Sequence, residues 1–250
     1  MCLLFVSFSW HLPPAMAFFP SVLDSANVQL RTQTRTALAS AYFEAGMSAF
    51  ALEEVDHALM MMPLYAPALL LKALLFQQQN KAEMAHKYFV MALESAPEDP
   101  QINLQFGAFE CRNQRFEAAF AKLKRALEFA TGPEQVRVSW ILGQCLSRNH
   151  QFEAANLRMS EAFYQLPSLI SEALELVELK IQLGKWSEAE KILEILNDSP
   201  SVSAQSVWLA LQLAERQNQA VKKNHWGKML GLHFSNSAQW RAYQDGASND

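Results

Sequence analysis

From Thr32 onward, apolar positions return in a fixed order of small and large side chains, separated by polar helix surface and short turns. Pro63 and Pro97 stand 34 residues apart. Counted back from those prolines, Ala51, Val55 and Ala58 fall on Ala85, Phe89 and Ala92, and Ala39 with Tyr42 falls on Ala73 with Phe76. The pattern predicts pairs of helices, the first of each pair carrying Ala39 or Ala73 and the second Ala51 or Ala85. A third pair places Gly107, Ala119, Leu123 and Ala126 in the same slots, and a fourth places Gly143, Ala155, Met159, Ala162 and Pro167 there. Two extra residues near Gly132-Pro133 separate those pairs. A weaker fifth pair has Val177, Ala189, Leu193 and Leu196, and Trp208 to Phe234 reads as a degenerate sixth that caps the stack.

A helix pair repeating every 34 residues is the tetratricopeptide unit. The fold class expected is therefore all-α, a tetratricopeptide-repeat superhelix (α-solenoid) of about six helix-turn-helix units, with a simple helical bundle as the alternative. Small residues such as Ala39, Gly107 and Gly143 let the first helix approach the second, and Ala51, Ala85, Ala119, Ala155 and Ala189 let the second approach back. The turns between paired helices repeat an aromatic at one position, as Phe116, Phe152 and Trp186. The repeat domain is expected over residues 32–235, followed by a short helix and tail at 236–250.

Composition supports helix and narrows function. Only eight glycines and ten prolines stand against abundant Ala, Leu, Gln and Glu. With 21 basic and 25 acidic side chains interspersed, the net charge of −4 leaves no basic footprint for nucleic acid. The six histidines, His11, His57, His86, His150, His225 and His233, form neither an HExxH pair nor a Cys/His ligand spacing. Glycine-rich phosphate loops and the GxSxG elbow are absent from the sequence. No enzyme, metal or cofactor is expected; protein binding is.

In an array of this kind the first helices of successive units line the concave side, so their outward positions are the candidate binding residues. These are Thr36, Ser40 and Phe43, then Leu70, Leu74 and Gln77, then Leu104, Ala108 and Arg112. Trp140, Gln144 and Arg148 follow, and after them Leu174, Glu178 and Ile181. Phe43, Leu70, Leu74, Leu104, Trp140 and Leu174 make the expected groove apolar, suited to a hydrophobic partner segment. The competing expectation is that several of them pack beneath neighbouring helices. A carboxylate clamp on the first groove helix is disfavoured, because Thr36, Ser40 and Phe43 stand where Lys and Asn would be needed.

Residues 1–31 differ in character. Leu3 to Trp10 is apolar and uncharged, Pro13-Pro14 ends the run, and Ala15-Met16-Ala17 has the small-x-small form of a signal-peptidase site. Residues 1–17 are read as a signal-peptide-like segment and 18–31 as a linker. No Lys or Arg precedes the run, the first basic side chain being Arg31, so an apolar extension is the alternative.

Ile102 to Arg112, the stretch INLQFGAFECR, resembles the third-repeat signature of the type IV pilus biogenesis and stability proteins, the PilW/PilF-type pilotin family. Ser206 to Ala214 resembles the sixth-repeat helix of that family, and Phe234 to Ser237 the stretch before its C-terminal end. The resemblance spans about Thr32 to Tyr243. It implies a periplasmic protein associated with the outer membrane of a Gram-negative envelope. The implied partner is an outer-membrane secretin or another pilus assembly component, and the implied role is secretin assembly or pilus stability. A scaffold for an unrelated complex is the alternative. Members of that family are typically lipoproteins with a Cys after the apolar run, whereas here Cys2 precedes it and the next Cys is Cys111. The resemblance also implies a Cys111–Cys145 disulfide, in keeping with an oxidising compartment, with two buried free thiols as the alternative.

Overall fold

The computed structural model describes residues 22–247. The signal-like segment 1–17 lies outside them. The described residues fall into two compact units, one ending at Ser95 and the other beginning at Ala96.

The first unit holds α1 (Val22–Glu44), α2 (Ser48–Met61), α3 (Ala66–Gln78) and α4 (Ala82–Ser95). The second holds α5 (Pro100–Arg112), α6 (Phe116–Phe129), α7 (Gly132–Arg148), α8 (Phe152–Gln165), α9 (Ala173–Gln182), α10 (Trp186–Asn197), α11 (Ala204–Arg216), α12 (Ala220–His233) and α13 (Ala238–Ala247), with a 3-10 turn, Pro167–Glu172, leading into α9. These are six antiparallel helix pairs and a terminal helix. Residues 22–31, expected as linker, are instead the opening turns of α1.

Helix starts follow ordinary capping chemistry. Asp99 accepts the Ile102 N–H at 2.9 Å and Pro100 opens α5, where a missing N–H costs nothing. Ser203 and Ser206 form a reciprocal capping box at α11. The end of each first helix repeats one device. Gly46, Asn80, Gln114, His150, Gly184 and Asn218 all have φ between 56° and 74°. The residue after each donates its N–H back into the helix, as Arg115 to the Glu110 carbonyl at 2.9 Å and Gln151 to the Leu146 carbonyl at 2.9 Å. This is the Schellman closure, which reverses the chain into the second helix. A side chain at a left-handed position costs about 1 kcal/mol that glycine avoids. Gln114→Gly is accordingly expected to raise stability by about 0.5–1 kcal/mol, read as a higher midpoint in urea.

The core is the small-and-large code made solid. Ala51, Ala85, Ala119, Ala155 and Ala189 are fully buried on the second helices, with Val55, Phe89, Leu123, Met159 and Leu193 buried beside them. Gly107 and Gly143 are contact points: a Cβ on Gly107 would lie 2.8 Å from Leu123 Cγ, and one on Gly143 would lie 2.5 Å from Met159 Cγ. At the C-terminal end, Trp240 and Tyr243 of α13 lie against Gly231 and Gly227 of α12, each closer than an added Cβ would permit. This contact lets α13 cover the last repeat.

One slot exchanges partners between repeats. In the first unit Lys72 of α3 lies 4.6 Å from the Tyr88 ring centre on α4. In the second, Phe106 of α5 receives Lys122 of α6 at 4.3 Å. Phe106 and Lys122 stand 34 residues after Lys72 and Tyr88, so the cation and the ring have traded helices while the pairing persists.

A buried cation sits in the fifth repeat. Lys180 is 1 % exposed, and its Nζ donates to Asn156 Oδ1 at 2.8 Å and to Glu188 Oε2 at 2.6 Å. The hydrogen bond and charge of Lys180 hold the Glu188 carboxyl below its ordinary value of 4.5. The folded pKa is depressed, so this contribution is present above the unfolded value and is lost as pH falls through the folded one. A Glu188→Gln variant should therefore show a shallower loss of stability than wild type below about pH 4.5, followed by denaturant midpoints across that range.

Candidate protein-binding faces

Each unit presents the faces of its own first helices. In the first unit α1 packs on α3. Phe43 rests on the cluster of Ala39, Ala51, Val55, Leu71 and Leu75, and Ser40, Leu70, Leu74 and Gln77 are half-buried. Thr36 differs from expectation. It is buried, and its hydroxyl donates to the Thr32 carbonyl at 2.8 Å, satisfying itself within α1.

In the second unit Ala108, Gln144, Leu174 and Ile181 are half-buried, and Arg112, Arg148 and Glu178 are exposed. Two expected groove residues are core instead. Leu104 is 3 % exposed within the cluster of Cys111, Leu123, Val138 and Leu142. Trp140 is 2 % exposed and packs with Met159, Phe163, Leu169 and Ala173. Both occupy the slot held by Leu70 and Leu174 in other repeats, on the margin between outward and inter-repeat faces. There the seam between successive pairs takes in the large side chain. Their removal changes the character of this face from apolar to mainly polar.

What lines it follows from the helix ends. A depression of about 260 Å³ is bounded by Gln144, Ser147 and Arg148 of α7 and by Glu175, Glu178 and Gln182 of α9. Gln144 Nε2 donates across the repeat boundary to Glu175 Oε2 at 2.5 Å. An adjoining hollow shares Gln144 and Arg148 and is completed by Ala108, Arg112 and Ile141, with Cys111 and Cys145 beneath. Ser147, Glu175 and Gln182 were not anticipated from sequence. Each is one residue from an expected position, or at the helix end, where a helix turning about 100° per residue makes register hard to fix without the neighbour.

Cys111 and Cys145 are joined by a disulfide, their Cα atoms 5.8 Å apart, well within the range such a bridge spans. It ties α5 to α7 across 34 residues of chain. Partial desolvation of its otherwise exposed side chain, and then the like charge of Arg148, hold the Arg112 guanidinium below its ordinary pKa. The charge on this face thus runs from Arg112 and Arg148 toward Glu175 and Glu178. Among the described residues no cluster of three His, Cys, Asp or Glu side chains is placed to hold a metal ion. No helix among them is long and apolar enough to cross a membrane.

No protein-family model and no curated protein matches the sequence. Solved structures do match. PilF of Pseudomonas aeruginosa superposes with a TM-score of 0.76 at 20% identity, covering 88% of this chain and 99% of that one. The structure described as PilW, a widely conserved type IV pilus biogenesis factor, gives a TM-score of 0.75 at 22% identity over 85% of this chain and 98% of that one. A tetratricopeptide repeat protein from Parabacteroides merdae gives 0.59 at 16% identity, covering 84% and 78%. The fold of this chain is that of the tetratricopeptide-repeat proteins, and it is similar in fold to PilF and PilW over nearly their whole length.

Proposed function

We propose that this chain is a non-catalytic scaffold of a Gram-negative envelope that supports type IV pilus assembly by holding partner proteins on the faces of its first helices. Its partner in this reading is the outer-membrane secretin or another pilus component, and its place is the periplasm, at the outer membrane. The observation that carries the reading is the likeness in fold to two pilus proteins across nearly all of each. The sequence resemblance centred on Ile102 to Arg112 supports it, as does the Cys111–Cys145 disulfide, which suits an oxidising compartment. In the first unit the binding face is apolar, through Phe43, Leu70 and Leu74; in the second it is polar, through Arg112, Gln144, Arg148 and Glu178.

The test is deletion of the gene in the host, followed by scoring secretin multimers on a gel and pili on the cell surface. Loss of either is the expected result. Unchanged multimers together with normal pili would end the reading, and so would recovery of the protein from the cytosol with both thiols reduced.

A further inference from the structure

Charge is not spread evenly toward the end of this chain. Between Glu215 and Asp245 no carboxylate side chain occurs, while Arg216, Lys222, Lys223, Lys228 and Arg241 all fall there, in a molecule whose net charge is −4. At the centre of that stretch is α12, which buries Trp226, Gly227 and Leu230. Its outer side is a single stripe. Val221, His225, Lys228 and Leu232 fall within about 60° of one another around the helix, and all are exposed. At 84% and 79%, Val221 and Leu232 are the most exposed large apolar side chains among the described residues. Lys222 and Lys223 turn aside to Glu190 and Glu194 of α10 and to Glu215 of α11, and so engage the nearby acids. Among the described residues neither Lys228 nor Arg241 has a carboxylate within ion-pair distance. Folding accounts for the inner side of α12; it gives no reason for two protruding apolar side chains to bracket a cation.

We propose that the outer stripe of α12 rests on a phospholipid surface carrying anionic headgroups, with Val221 and Leu232 entering the acyl boundary and Lys228 between them at the phosphates. This contact goes beyond the pilus reading and does not depend on it. A helix face that combines cations with protruding apolar side chains lies flat in a lipid interface. The lysine stem follows its apolar neighbours while its ammonium stays at headgroup level. Each lysine or arginine close to an anionic surface strengthens the contact about fivefold. Other occupants fit less well. A second copy docked through the same stripe would crowd two Lys228 side chains together. A folded partner would need hollows for two side chains that stand about 16 Å apart along the helix, whereas lipid gives way around them. Exposure of an apolar side chain is not sufficient by itself: Leu157 is exposed on α8, but the exposed acids Glu153 and Glu161 share its stripe and would be repelled.

The experiment mixes the full chain with vesicles of phosphatidylglycerol and phosphatidylcholine in equal parts, or of phosphatidylcholine alone, and separates bound protein by flotation. The apolar run from Leu3 to Trp10 can itself enter lipid, so the reading is the difference between wild type and variants that keep the same N-terminus. Lys228→Gln is expected to weaken partition onto the anionic vesicles about fivefold, and Lys228→Arg to leave it unchanged. Leu232→Ser should weaken it about tenfold, and Leu157→Ser should not alter it. All four positions substituted are exposed, counting Val221, so urea midpoints should stay at the wild-type value. A polarity-sensitive fluorescent amino acid at Leu232 should shift to the blue on the anionic vesicles, while one at Leu157 should not, and high salt should weaken the shift. Wild-type partition of a Val221→Ser, Leu232→Ser chain, or no blue shift at Leu232, overturns the proposal. A blue shift with polyglutamate and none with anionic vesicles overturns it too, and gives the stripe to an acidic protein segment. Failure here leaves the scaffold reading as it stands, since no pilus protein enters the assay.

Discussion

Gly143→Ala is expected to destabilise the protein by about 1–3 kcal/mol, and Gly143→Leu to prevent residues 96–250 from unfolding cooperatively at all. The added Cβ would stand 2.5 Å from Met159 Cγ and 3.3 Å from the Ala155 carbonyl oxygen, so α7 and α8 would have to separate. Met159 is 1 % exposed and has little room to retreat. Helix propensity alone predicts the opposite sign, since alanine is favoured over glycine by about 1 kcal/mol inside a helix. The sign of the change therefore decides whether packing or propensity governs this position. A double-mutant cycle sharpens the result. Met159→Ala by itself should cost about 2–5 kcal/mol, but on that background Gly143→Ala should cost clearly less than it does in wild type, because the nearest atom is gone and only the backbone contacts at 3.3 Å to the Ala155 oxygen and the Met159 nitrogen remain. Denaturation of the four proteins in urea measures the coupling. Additive losses would mean that the glycine is not a contact point.

The disulfide carries the second large effect. Cross-linking residues 34 apart in sequence removes about 3–4 kcal/mol of loop entropy from the unfolded chain. A Cys111→Ala, Cys145→Ala variant is expected to lose about that much, visible as a drop in both thermal and chemical midpoints. Reductant should bring wild type to the level of the variant and leave the variant itself unmoved. Because Cys111 and Cys145 are 4 % and 1 % exposed, reduction of the folded protein should be slow and should quicken with mild denaturant. Equal midpoints for the oxidised wild type and the double variant would show that the bridge does not hold the two repeats together.

Much of this fold was legible because the packing rule is periodic. Ala51, Ala85, Ala119, Ala155 and Ala189 can be found by counting, and each is fully buried where a second helix meets a first. Binding faces are less legible, for a physical reason. Trp140 and Leu104 occupy the slot where an outward position becomes an inter-repeat one, and burial there depends on the tilt of the next pair, which no spacing encodes. Gln114 and His150 hide the left-handed turn that Gly46 and Gly184 advertise, because hydrogen bonds of the Schellman closure stabilise the conformation whatever the side chain. Lys180 stands at the slot of Leu146 in the preceding repeat, and only Asn156 and Glu188, brought in by other helices, make its burial tolerable. The first turns of α1 were hidden because residues 25–31 are all exposed, Val28 and Leu30 among them, and so give no buried face to count.

The scaffold account makes its plainest claim about where partners touch the second unit. A photoreactive amino acid placed at Gln144, on the polar face, can be compared in living cells with one at Leu157, an exposed position on α8. Illumination is expected to give an adduct from Gln144 that mass spectrometry identifies as the secretin or another pilus component, and no such adduct from Leu157. A pilus adduct from Leu157 with none from Gln144 would contradict the account, because the partner would then be held on the second helices and the face of the first would be idle.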